Sequence, residues 1–186
     1  MDSPIPVNGK EGEKYFRLEQ LRPGVSLTEF SCSIEEYNEY LTQDALRSQN
    51  DYVALTWLLS DLATGGIVAY MSMINDAIKL SVSEKELHNL NYPFKTIPAM
   101  KIAKLAVSQS AQKVYKGIGS FMIDAAKSLA RGCNTHYSAC RFLTVDADVE
   151  NNESVLSFYE KNGFIQNSEM NNKNRKTISM RKDIFA

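Results

Sequence analysis

Cysteine is too scarce, and odd in number, to staple this chain. The three thiols, Cys32, Cys133 and Cys140, fit no disulfide framework. No apolar run is long enough to cross a bilayer as a helix. The opening "MDSPIPVNGKEGE" lacks the apolar core of a secretion signal, so the expected location is intracellular, in the cytoplasm. Excess charge of one sign is also missing. A net charge of −1 gives no global case for a membrane or nucleic-acid partner. No internal repeat, low-complexity tract or interdomain linker breaks the sequence, so one domain over residues 1–186 is expected. Its polar first dozen residues, with proline and glycine, suggest a loosely ordered start. Cys133, His136 and Cys140 lie close together in sequence. A structural zinc site needs four ligands, and no second pair has suitable spacing, so ordinary thiols and no metal are expected.

What is present is a regular alternation of elements. "YFRLEQL" (15–21) reads as a strand stopped by Arg22-Pro23-Gly24. Ser33 with Glu36 has the form of a capping box, followed by Ile34, Tyr37, Leu41 and Ala45 at helical spacing. "YVALTWLLSDL" (52–62) and "GIVAYMSMI" (66–74) are apolar on both faces. They read as central strands joined by the Thr64-Gly65-Gly66 turn, with Trp57 in the core. Ser83 with Glu86 suggests a second capping box, for a short helix ending near Leu90. "AMKIAKLAV" (99–107) is the next strand. "RFLTVDA" (141–147) follows a long helix, and "NESVLSFYEKNGF" (152–164) is a helix stopped by Gly163. Two short strands, near 164–168 and 176–182, close the chain around the polar turn "NNKNRK". The order implies an α/β fold with a mixed sheet and helices on both faces.

The long helix opens unusually. In "YKGIGSFMIDAAKSLA" (115–130), Gly117 and Gly119 precede Met122, Ala125, Ala126 and Leu129 on one helical face. A helix N-terminus presents unpaired N–H groups and partial positive charge, so glycine at its mouth suits a close-approaching phosphate. A plain strand-to-helix turn that uses glycine for its dihedrals would look the same. Charge distribution bears on this. Residues 1–61 hold eleven acids against five Lys/Arg, a balance of −6, whereas residues 95–131 hold seven Lys/Arg against Asp124, a balance of +6. The glycine turn lies in the basic segment, which suits a small polyanion and equally a solvated lysine surface.

Two stretches carry a family resemblance: "KIAKLAVSQSAQKVYKGIGSFMI" and "VDADVENNESVLSFYEKNGF". Together with the element order they resemble the GNAT superfamily of N-acetyltransferases over roughly residues 12–183. In that family a strand like "KLAV" leads through Q/R-x-x-G-x-G/A into the pyrophosphate-binding helix. A later N-x-x-A-x-x-x-Y-x-x-x-G-F marks a tyrosine-bearing helix. Asn152, Val155, Tyr159, Gly163 and Phe164 match the second pattern, with valine for alanine. The first pattern departs: Val114 stands at the Gln/Arg position, and the loop from Val107 to Gly117 is two residues longer. Gln112 or Lys113, or backbone amides alone, would have to serve there. The strand at 52–62, the glycine hairpin and "SMINDAI" also look like one branch, toxin-type enzymes that acetylate the amino acid on charged tRNA. Those carry a more basic surface than −1.

The resemblance implies acetyl-CoA as co-substrate and transfer of its acetyl group to a primary amine by direct attack in a ternary complex. Leu105, Ala106 and Val107 would offer a strand edge to the pantetheine amides. Lys113, Val114, Tyr115, Lys116, Gly117, Ile118, Gly119 and Ser120 would form the phosphate cradle, with Asn152 also on the cofactor. The backbone at the strand edge would receive the thioester oxygen as it becomes an oxyanion. Tyr159 would donate a proton to the leaving thiolate, since a phenol near pKa 10 stays protonated at neutral pH. On helical spacing alone it is equally a core aromatic. No base is evident. Asp76, Glu84, Glu86 and His88 lie in or beside the 77–97 insert, where the acceptor would bind, and read as surface residues. The acceptor could be a small molecule, a protein or an aminoacyl-tRNA. A homodimer stays open, as does a binding module that holds acyl-CoA without turnover. A nucleotide-binding α/β protein is a third reading, though "YKGIG" is neither GxGxxG nor GxxxxGK[ST].

Overall fold

The computed structural model describes residues 5–9, 12–136, 138–152, 154–167 and 176–186. The closing turn "NNKNRK" lies almost wholly outside them. Eight strands are hydrogen-bonded in the order β1-β2-β3-β4-β5-β6-β8-β7. The chain divides into two compact units. One comprises Met1–Ile74 with Ala103–Asp124, and the other Asn75–Ile102 with Ala125–Ala186.

In the first unit β1 (Ile5–Gly9), β2 (Gly12–Gln20), β3 (Leu55–Asp61) and β4 (Ile67–Ile78) run antiparallel in succession. β1 falls in the stretch whose composition suggests a loose start. The β3–β4 turn is the glycine hairpin read from the sequence, with Gly65 at φ +73°. A bulge follows between Leu59 and Ser60. Leu58, Leu59, Val68, Ala69, Tyr70 and Met71 are all buried, which explains why these strands look apolar on both faces. Trp57 is only half-buried and not fully in the core as expected. Two short helices, α1 (Glu35–Glu39) and α2 (Ala45–Asn50), are joined by a π-helical turn at Tyr40–Asp44. They pack Leu41 and Ala45 against Leu21, Phe30, Leu58 and Tyr70.

The expected Ser33–Glu36 capping box does not form. Asn38 takes its place: its Oδ1 accepts from Cys32 N at 2.8 Å, and its Nδ2 donates to Cys32 O at 3.2 Å. Glu36 instead pairs with Lys104, whose ammonium also sits 4.4 Å from the Tyr37 ring centroid.

The second unit contains the end of β4, the start of β5 (Ile97–Val107), β6 (Phe142–Asp148), β7 (Ile165–Gln166) and β8 (Thr177–Asp183). β5 and β6 are parallel, whereas β6–β8 and β7–β8 are antiparallel. The sheet is therefore mixed, as expected. Helix α3 (Val82–Leu87) does have a capping box, but Ser81 and Glu84 form it, two residues before the expected pair. The sequence "SVSEKE" offers two overlapping S-x-x-E frames. The earlier one buries Glu84 against Arg181, at 2.8 Å, and that contact selects it. Glu84 is thus not the surface residue expected. Beneath the insert Ile78, Leu80, Leu90, Ile97, Ala99 and Phe142 form a core cluster.

Candidate functional site

The candidate cofactor residues Leu105 to Ser120 fall within one unit, on the end of β5, helix α4 (Gln109–Val114) and the start of α5 (Ile118–His136). The parallel β5–β6 ladder is short. It pairs Ala99 with Phe142, Met100 with Leu143 and Lys101 with Thr144, so Leu105, Ala106 and Val107 lie beyond it. Ala106 is buried, and Leu105 and Val107 are partly buried. Ser108 then ends the strand. Its N donates to Val68 O at 2.9 Å, and its Oγ accepts from Ala111 N at 3.2 Å, capping α4.

Helix α4 lies between Val107 and Gly117, the stretch in which the sequence places two extra residues. Gln112 donates from Nε2 to Val107 O at 3.0 Å, so its amide closes this turn. Lys113, Lys116 and Gly117 are exposed, and Ile118 is buried. Val114 and Tyr115 line a cavity of about 310 Å³ with Asp61, Glu29, Thr64 and Ser110. Its two carboxylates carry the wrong sign for a phosphate. Tyr115 is buried edge-on against Phe16, at 5.1 Å between ring centroids. Its hydroxyl donates to Asp61 Oδ2 at 3.2 Å. Its amide is already bonded to Ala111 O at 2.8 Å. The Tyr115 amide is thus occupied within the turn.

The remaining amides fit better. Gly117 adopts φ +85°, and a Cβ there would meet nothing within 4 Å. Glycine is thus required by the backbone angle and not by crowding. The turn opens α5, whose first-turn amides at Ile118, Gly119 and Ser120 have no acceptor within the helix. The buried positions of α5 include Met122, Ile123, Ala126 and Ala130. This face is rotated from the expected one, in which Ala125 and Leu129 replaced Ile123 and Ala130.

Asn152 and Tyr159 belong to the other unit. Asn152 is exposed, and its Oδ1 accepts from Ser154 N at 3.0 Å and Ser154 Oγ at 2.8 Å. This fixes the turn into α6 (Val155–Lys161). Tyr159 is 8% exposed on α6, with ring centroids 5.1 Å from Phe158 and 5.2 Å from Phe164. Gly163 follows at φ +80°, the helix stop read from the sequence.

Asp76, Glu84 and His88, around the insert, have structural partners. Asp76 accepts from Thr144 Oγ1 at 2.5 Å and lies 3.9 Å from Lys101 Nζ. Glu86 is exposed. His88 Nδ1 stands 3.2 Å from Asp183 Oδ2, and Arg181 approaches its Nε2 at 3.5 Å. Sequence reasoning missed Arg181 and Asp183. Neither belongs to a motif, and both lie in a strand of mostly polar residues, "TISMRKD", that gives no signal of them. Burial holds the His88 pKa below its usual 6.5, with Arg181 reinforcing and Asp183 opposing. The folded state therefore binds fewer protons than the unfolded chain below about pH 6.5. Stability should be complete above that pH and decline as pH falls through it. His88→Gln should flatten this limb in urea titrations between pH 7 and 5. An unchanged slope would rule His88 out as its source. Among the described residues, no group of three or more His, Cys, Asp or Glu could hold a metal ion, and the His136 side chain lies outside them. Among the described residues, no helix is long and apolar enough to cross a membrane.

This architecture is the GNAT fold that the two motifs imply. No protein-family model and no curated protein matches the chain; the likeness is to solved structures. One is AtaT complexed with acetyl-methionyl-tRNAfMet, with TM-score 0.73 and 20% identity over 88% of this chain and 93% of that one. Another is a tyrosine-to-phenylalanine mutant of KacT, at 0.72 and 19% over 89% and 94%. A third is AtaTR bound with AcCoA, at 0.69 and 20% over 89% and 93%.

Proposed function

We propose that this protein is an acetyl-CoA-dependent N-acetyltransferase whose acceptor is the amino group of an aminoacyl-tRNA. The observation that carries the reading is the path from β5 through the positive-φ Gly117 into α5. It supplies a strand edge for amides and a helix mouth for phosphates on consecutive residues. Likeness to a structure bound with AcCoA and to one complexed with acetyl-methionyl-tRNA supports the cofactor and the acceptor class.

In this reading Leu105, Ala106 and Val107 pair with the pantetheine arm, and the amides of Lys116 to Ser120 hold the pyrophosphate. Lys113 and Lys116 add attraction from solvent. Val114 contributes backbone only. A neutral amine attacks the thioester carbon and forms the C–N bond, while the carbonyl oxygen becomes an oxyanion on the β5 backbone. Collapse breaks the C–S bond. Tyr159 gives the departing sulfur its proton, and the amine nitrogen loses its extra proton to water. The reaction takes place away from the membrane, in the cytoplasm. The valine at position 114 favours a second reading, an acyl-CoA-binding module without turnover.

Thiol release from acetyl-CoA, measured against polyamines, peptides, antibiotics and aminoacyl-tRNA, tests both. Release with aminoacyl-tRNA alone supports the first; cofactor binding without release from any acceptor supports the second. Gly117→Glu tests the cradle. Its carboxylate would stand against the pyrophosphate, and Gly117→Ala controls for backbone strain at φ +85°. Calorimetry should show acetyl-CoA affinity at least about tenfold weaker in the glutamate than in the alanine variant, about 1.4 kcal/mol. Equal affinities would remove the turn from the site.

A further inference from the structure

The insert between β4 and β5 has both buried and exposed apolar residues. It packs Ile78, Leu80, Leu90 and Ile97 into the core, so the segment is firmly seated. Other positions of the insert leave large apolar groups in water: Tyr92 is 59% exposed, Phe94 65% and Leu87 67%. Single exposed apolar residues are ordinary, but several on one short segment mark a contact surface. Among the described residues neither ring of Tyr92 or Phe94 stacks on another aromatic.

The charge of the segment points to the partner. Lys79 and Lys95 are exposed, and Lys85 is half-buried. Lys85 Nζ donates to Phe94 O at 3.2 Å, which places an ammonium beside the ring-bearing residue. The opposing acids are few. Glu84 is buried and paired with Arg181, leaving Glu86 as the exposed acid of the segment. Unstacked aromatics among lysines suit a flexible polyanion that carries its own flat faces, which describes single-stranded nucleic acid.

We propose that Lys85, Tyr92 and Phe94 form a stacking platform for single-stranded RNA, the unpaired 3′ end of the acceptor. The proposal rests on the aminoacyl-tRNA reading for the identity of that strand. The RNA backbone runs past Lys79, Lys85 and Lys95, and its bases lie on the two rings. Glu84, capped to Ser81 and held by Arg181, keeps the platform rigid. Selection is by shape and stacking and not by base sequence.

The test uses the full chain and a fluorescent single-stranded RNA 12-mer ending in CCA, with a duplex of equal length as competitor. Wild type should bind the single strand more tightly, with affinity falling as salt rises. Each of Tyr92→Ala and Phe94→Ala should weaken binding roughly five- to 150-fold, the range for loss of one stacked base. Lys85→Gln should lower the salt slope by about one. All three side chains reach the surface, so thermal midpoints should hold. Unchanged single-strand affinity in both aromatic variants would overturn the proposal. So would preference for the duplex, or loss of self-association in light scattering with RNA binding intact, which would make the surface a protein interface. Thiol release separates the two readings. Platform variants that weaken RNA binding, in a protein inactive on aminoacyl-tRNA, would sink the acceptor and not the platform. Turnover of aminoacyl-tRNA with unchanged RNA affinity in the variants would do the reverse.

Discussion

Tyr159→Phe should lower kcat for acetyl transfer by roughly 10²- to 10⁴-fold, the range lost when a positioned general acid is removed. The substitution keeps the ring. Its edge contacts with Phe158 and Phe164, at 5.1 and 5.2 Å, therefore survive, and the backbone bond from Phe164 N to Tyr159 O at 3.0 Å is untouched. Only the hydroxyl and its proton go. If that proton reaches the thiolate solely in the transition state, kcat and kcat/KM fall together while acetyl-CoA affinity holds. A tyrosine acting purely as core would give equal kcat in the two proteins, which would remove it from the mechanism. An acyl-CoA-binding module would turn over in neither protein yet bind the cofactor in both. Thiol release, calorimetry and thermal midpoint on this pair separate the three outcomes.

Much of the frame was legible because it rests on local signals. The β3–β4 hairpin follows from two double-faced apolar runs around Thr64-Gly65-Gly66, and the stop of α6 follows from Gly163. Gly65 and Gly163 sit at positive φ, where chain geometry and residue type agree. The capping frames were legible only as a set of choices. Ser81 and Ser83 both stand three residues before a glutamate, and nothing local separates them. The decision comes from Arg181, almost a hundred residues away in sequence. The Ser33–Glu36 frame was lost to the nearby Asn38, which binds Cys32, and to the distant Lys104, which takes Glu36. At the candidate site the sequence located the helix mouth at Gly117. It could not reveal that Tyr115 N is consumed by Ala111 O or that Gln112 closes on Val107. Both follow from the longer stretch between Val107 and Gly117 coiling into α4. Sequence patterns count an insertion but do not give its shape.

Arg181→Met should destabilise the fold by about 3–5 kcal/mol, the cost of stripping one partner from a buried ion pair. Arg181 is 1% exposed. Its guanidinium donates to Glu84 Oε1 at 2.8 Å, Asn167 Oδ1 at 2.8 Å and Gln166 O at 3.3 Å. Methionine fills similar volume, so the loss is electrostatic: Glu84 keeps a buried charge with its cation gone. For a chain of this length the thermal midpoint should fall by roughly 10 °C. Glu84→Gln should cost less. The one amide oxygen still accepts from Arg181, at the expense of the bond that the other carboxylate oxygen accepts from Ser81 N, and the cation it leaves retains Asn167 and Gln166. The double variant should lie closer to wild type than the sum of the two singles, because it removes both charges and strands neither. Urea unfolding of the four proteins gives the coupling. Simple additivity would mean that the pair is not a unit, and that the frame of α3 is set by the Ser81 cap without help from β8.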